Sequence, residues 1–114
     1  MSYLPSTIEV RVDPVLPFKV IETGPGAVSL VGELDISGLP NVRASLANWA
    51  GDITIDCSGL TFIDSSGLGM FVEFHKTREA LGVKLVLIDP APCVTRVLEL
   101  TGLDAVFNVM ICKD

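Results

Sequence analysis

The chain has 114 residues, 49% of them hydrophobic and 19% charged, with a formal net charge of -6. That length suits one domain around one core, spanning residues 1–114. The eight Lys and Arg residues are scattered, so the chain lacks the basic cluster that displaces counterions from nucleic acid or from an anionic membrane. Both are excluded as partners. No apolar run approaches the ~20 residues of a membrane helix. The N-terminus lacks the basic stretch and apolar run of a secretory signal. The three cysteines, Cys57, Cys93 and Cys112, form no C-x-x-C pair, so neither a disulfide framework nor a zinc site is expected. Reduced thiols place the protein in a reducing, cytoplasmic compartment.

In chain order, residues 1 to 7 read as a loose terminus. Ile8 to Val12 alternates apolar and polar, the pattern of a half-buried strand. Pro14 and Pro17 break it. Phe18 to Ile21 and Ala27 to Leu34 form two strands around a Gly24-Pro25-Gly26 turn, a hairpin. Ser37 or Gly38 caps a helix with Pro40 in its first turn. Val42, Leu46 and Trp49 share one face of that helix. Ile53 to Cys57 is a buried strand. A central helix runs from about Ser66 to Leu81 and stops at Gly82. Val83 to Ile88 is apolar on both faces apart from Lys84, as in a strand inside a helix-covered sheet. Val94, Val97, Leu98 and Leu100 mark a third helix that stops at Gly102. Val106 to Ile111 is a short last strand. Strands first, then alternating helix and strand, predict an α/β fold: a mixed sheet with helices packed mainly on one face.

The informative stretch is Asp64-Ser65-Ser66-Gly67-Leu68-Gly69, between a strand and the central helix. Asp and Ser are N-cap residues because their oxygens accept from the free amides of the first turn. Ser66 is therefore presented at a helix N-terminus, where amides and the helix dipole stabilise an anion such as phosphate. Gly67 and Gly69 leave room for another backbone or a ligand. Asp35 and Asp64 end neighbouring strands and flank Ser66, while Asp56 reads as turn capping. No further metal ligand stands with these carboxylates.

Enzyme chemistry fails on geometry. A serine hydrolase needs a base within reach of its serine. The one histidine, His75, lies nine residues after Ser66 on the same helix, about 180° around and about 13 Å along. Gly67-x-Gly69 lacks the third glycine of a dinucleotide fingerprint, and no P-loop is present. No catalytic residue and no cofactor are assigned. With Phe71 facing the core, Leu68 and Phe74 share its side, and His75 packs near it. Ser66, Gly69, Met70, Glu73, Lys76 and Thr77 fall on the outer side, where a flexible Met and few charges suit docking as well as plain solvation.

Three motifs in order resemble the STAS domain of bacterial anti-sigma-factor antagonists. They are Gly32-Glu33-Leu34-Asp35, Thr61-Phe62-Ile63 with Asp64-Ser65-Ser66-Gly67-Leu68-Gly69, and Val94 to Leu103. Together they span roughly residues 18 to 112. The resemblance implies that Ser66 accepts phosphate from an anti-sigma factor that is also an ATP-dependent serine kinase. It implies that the unphosphorylated chain binds that factor and frees a sigma factor, and that a serine phosphatase reverses the block. Asp35, Asp64, Ser65, Gly67, Gly69, Met70 and Glu73 are then the expected partner-binding residues. The other reading is a STAS scaffold or small-ligand-binding module of a sensory complex. At Cys57 many relatives carry a larger apolar residue.

Overall fold

A computed structural model describes residues 18–112. The strand expected over Ile8 to Val12 and the loose terminus lie outside the described residues. The elements run β1 (Lys19–Gly24), β2 (Ala27–Leu34), a 3-10 turn (Ile36–Gly38), α1 (Leu39–Leu46), β3 (Ile53–Ile63), α2 (Ser65–Ala80), β4 (Leu85–Ile88), α3 (Pro92–Thr101), a second 3-10 turn (Leu103–Ala105) and β5 (Asn108–Met110). Among the described residues the strands form one five-stranded sheet in the order β1-β2-β3-β4-β5. β1 and β2 pair antiparallel, as the hairpin predicts, and each later pair is parallel. The sheet is therefore mixed.

One face of the sheet makes the core. Val28, Leu30 and Leu34 of β2, Ile53, Ile55 and Cys57 of β3, and Leu85 and Leu87 of β4 are buried there. They join Val42 and Leu46 of α1, Leu68, Met70 and Phe71 of α2, and Val94 and Leu98 of α3 in a single cluster. Burying each such side chain stabilises by about 1.5–3 kcal/mol, and this holds all three helices on one face. The alternate residues Ser29, Val31, Thr54, Asp56, Val86 and Ile88 are only half-buried. Pro92 opens α3 and Gly102 ends it at φ 78, the left-handed turn that glycine adopts without strain.

Three expectations need correction. β3 does not stop at Cys57 but continues to Ile63. Ser58-Gly59 looks like a break in sequence, yet here glycine lets β2 come close. A Cβ on Gly59 would lie 3.0 Å from the Leu30 carbonyl oxygen, where the β2–β3 register shifts. Asp56 is consequently inside a strand, between Ser29 and Ile88, rather than at a strand end. Its carboxylate still behaves as a turn acceptor, receiving the Ser58 amide at 2.9 Å and the Ser58 hydroxyl at 2.7 Å. Trp49 is not on the face of α1, because that helix ends at Leu46. The indole folds over Gly26 and Gly51 instead and donates to the Asp52 carbonyl at 2.7 Å. A tryptophan N–H needs such a partner when its ring packs.

Candidate functional site: the serine at the start of the central helix

β2 and β3 are parallel neighbours, with Leu34 opposite Ile63. The Asp64 amide donates to the Leu34 carbonyl at 3.3 Å, one residue beyond the paired strands. Asp35 and Asp64 therefore leave the same edge of the sheet side by side, as their positions after two strands predict. Asp64 is extended (φ -107, ψ -175), and α2 starts at the next residue.

One oxygen organises the turn. Asp64 Oδ1 accepts the amides of Ser66 at 3.0 Å and Gly67 at 3.1 Å, two donors that no helical carbonyl satisfies. It also accepts the Ser66 hydroxyl at 2.6 Å. The Ser66 hydroxyl bond, opposed by desolvation and aided by the Gly67 and Ser66 amides, holds the Asp64 carboxyl below its ordinary value. Asp35 repeats the pattern, accepting the Ser37 amide at 3.0 Å and hydroxyl at 2.6 Å. Ser66 is half-buried and Ser65 is exposed.

The two glycines play different parts. Gly67 is buried, and a Cβ there would sit 2.9 Å from Ile63 Cγ1 and 3.0 Å from Leu34 Cγ and Cδ2. It lets the helix start press against the ends of β2 and β3, so what comes close is this chain's own core. Gly69 is exposed, and among the described residues nothing comes within 4 Å of a Cβ there, leaving a shallow opening one turn from Ser66.

Glu73 is exposed and accepts the Arg43 guanidinium of α1 at 2.8 Å. That bond, rather than the wider field of the charge, chiefly keeps its carboxyl below the usual range. Met70 is not on the outer face: it is 1% exposed and part of the core. A helical wheel drawn against the sheet alone misses α1. Arg43 of α1 reaches Glu73 on one side of Met70 and lies 5.9 Å over the Phe74 ring on the other. The flank between them, at about 100° from Phe71, is therefore covered. His75 lies against Phe107, ring centroids 5.7 Å apart, as the inner side of the helix predicts.

The sheet edge also carries residues that the sequence reading did not select. Phe62 and Ile36 are large apolar side chains left exposed beside Asp64 and Asp35. An exposed Phe two residues before an N-cap carries no periodic signal, because Thr61-Phe62-Ile63 reads as an ordinary strand end.

The arrangement defines an α/β domain that offers a capped serine at a sheet edge, with an acidic flank. The chain belongs to the STAS domain family, whose model matches residues 19–112. It is 33% identical over 81 residues to the anti-sigma F factor antagonist of Lysinibacillus sphaericus, covering 67% of this chain and 69% of that one. The solved anti-sigma factor antagonist SpoIIAA in its unphosphorylated form superposes with a TM-score of 0.67 at 25% identity, covering 86% of this chain and 90% of that one. The phosphorylated form of the Bacillus cell fate determinant SpoIIAA shares the fold, with a TM-score of 0.64 at 24% identity over 86% of this chain and 93% of that one.

Proposed function

We propose that the chain is an anti-sigma-factor antagonist, a regulatory binding protein whose switch is phosphorylation of Ser66. Unphosphorylated, it binds an anti-sigma factor with serine-kinase activity and so releases a sigma factor; a serine phosphatase resets it. The observation that carries this reading is the Ser66 hydroxyl, hydrogen-bonded to Asp64 at the N-terminus of α2. A hydroxyl in that place accepts a phosphate that the positive end of the helix dipole then stabilises, so the domain need not refold.

The same turn explains why phosphate blocks binding. The modification adds about -1.5 to -2 charges beside Asp64 and Asp35, on the surface that met a neutral hydroxyl. A kinase that transfers to Ser66 also holds its nucleotide phosphates against this spot, so the product repels them. Burying an imperfectly paired charge costs about 2–4 kcal/mol, a loss of about 30- to 1000-fold in affinity. Asp35, Asp64, Ser65, Gly67, Gly69 and Glu73 surround or support this surface, whereas Met70 acts from the core.

The test is a binding titration of the purified host anti-sigma factor with Ser66→Ala and Ser66→Glu. Ser66→Ala retains wild-type affinity and Ser66→Glu loses it. Equal affinity of both variants would sink the proposal.

A further inference from the structure

Phe62 is 45% exposed because β3 bulges. Gly32 of β2 pairs with Leu60, but the next residue, Glu33, pairs with Phe62, so Thr61 is an extra residue on β3. In a regular strand of the same sequence, strict alternation from the buried Leu60 would turn Phe62 into the core. The bulge instead sets Phe62 outward beside Glu33 and sends Ile63 inward, where it is buried. Bulges of this kind re-aim side chains next to functional sites. Ile36, 72% exposed, follows Asp35 directly. Two large apolar side chains thus stand on either side of the Asp35–Asp64 edge.

We propose that Phe62 and Ile36 are the apolar anchors by which the chain grips its anti-sigma factor, and that this partner offers apolar sockets with a cationic side chain set against Glu33. The proposal rests on the antagonist reading of Ser66. Residues 27–38 and 58–69 carry Glu33, Asp35 and Asp64 and no Lys or Arg, so charge complementarity calls for a basic partner rim. Phe62 stands two residues before Asp64 in the chain, and Ile36 directly follows Asp35. A second copy of this chain fits poorly. A two-fold axis through the patch would set the same three carboxylates against each other. Aromatic anchors at the centre of an interface dominate its energetics, while neighbouring contacts mainly exclude water.

The test titrates the purified host anti-sigma factor into the wild type, Phe62→Ser, Phe62→Leu, Ile36→Ser, Glu33→Lys and Ser66→Glu. Circular dichroism melts establish which variants remain folded. Phe62→Ser and Ile36→Ser each weaken binding about 30-fold, the loss typical of a hot-spot residue. Phe62→Leu, which keeps an apolar anchor, recovers most of it. Glu33→Lys weakens binding most at low salt. If Phe62→Ser and Ile36→Ser bind as tightly as the wild type while Ser66→Glu does not, the anchors are overturned and the Ser66 switch stands. If Ser66→Glu also binds normally, the antagonist reading falls with them. A homodimer that Phe62→Ser dissolves, with the anti-sigma affinity unchanged, would assign the patch to a second copy and overturn the proposal. Should Phe62→Ser unfold, Ile36→Ser and Glu33→Lys decide the matter alone.

Discussion

The Ser66 hydroxyl donates to Asp64 Oδ1 at 2.6 Å, the same oxygen that caps the amides of Ser66 and Gly67. The group that would receive phosphate is thus part of the device that starts α2. Asp64→Ala removes three hydrogen bonds and should cost about 1 kcal/mol, within the ~0.5–2 kcal/mol span of N-cap losses. Ser66→Ala leaves both amide bonds in place and should cost less, about 0.5 kcal/mol. Urea unfolding of the two variants measures the difference.

The cap also sets a pH dependence. Because the folded-state carboxyl of Asp64 lies below its ordinary value, the cap contribution is complete above about pH 4, near the unfolded carboxyl pKa. It is lost as pH falls through the folded value, when the carboxylate becomes protonated. The stability gap between the wild type and Asp64→Asn should therefore shrink in acid. Phosphorylation of Ser66 removes the strongest donor and adds a like charge, so carboxyl titration by NMR should show Asp64 moving upward in the phosphorylated chain.

Gly67→Ala and Gly69→Ala should have opposite effects. At Gly67 the new methyl collides with Ile63 and Leu34, and overpacking of this kind costs about 1–3 kcal/mol. At Gly69 the methyl meets nothing among the described residues, and the helix gains up to about 1 kcal/mol of propensity. Gly69→Ala should thus melt higher while binding the anti-sigma factor less tightly, because it fills the opening beside Ser66. Parallel melts and titrations separate stability from recognition.

Met70 and Glu73 differ in the same way. Met70→Ala creates a cavity in the core and should cost about 2–5 kcal/mol. Glu73→Ala breaks an exposed ion pair with Arg43, worth about 0.2–1 kcal/mol at most. A urea series on both variants reads the contrast.

Much of this was legible before any coordinates. The β1–β2 hairpin, the Asp64 cap and the glycine stops of α2 and α3 follow from local chemistry, and the adjacency of Asp35 and Asp64 from the alternation of strands and helices that sets β2 beside β3. What failed depended on neighbours distant in sequence. Met70 is buried where Arg43 of α1 bridges Glu73 and Phe74 across that flank of α2, and a wheel for one helix contains no second helix. β3 runs through Ser58-Gly59 because β2 needs the space that glycine leaves. Trp49 is off its expected face because α1 ends at Leu46, and its N–H meets the Asp52 carbonyl beyond the helix end. Phe62 points outward because of a register shift between two strands, which alternation within one strand cannot reveal.

The thiols give a further test of burial. Cys57 is buried, and desolvation first, then the nearby Asp56 and Cys93, push its pKa up to about 12. Cys112 is exposed and Cys93 half-buried. Iodoacetamide at pH 8 should label Cys112 first, Cys93 more slowly, and Cys57 only after unfolding. Peptide mass mapping over time gives the order.

The central claim is that Ser66 carries the switch, and phosphate mapping on the protein purified from its native host tests it most directly. The predicted result is phosphate on Ser66 in part of the population, in a proportion that changes with growth and stress. Finding no phosphate on Ser66 under any of those conditions would contradict it, leaving the Asp64–Ser66 turn as a structural cap.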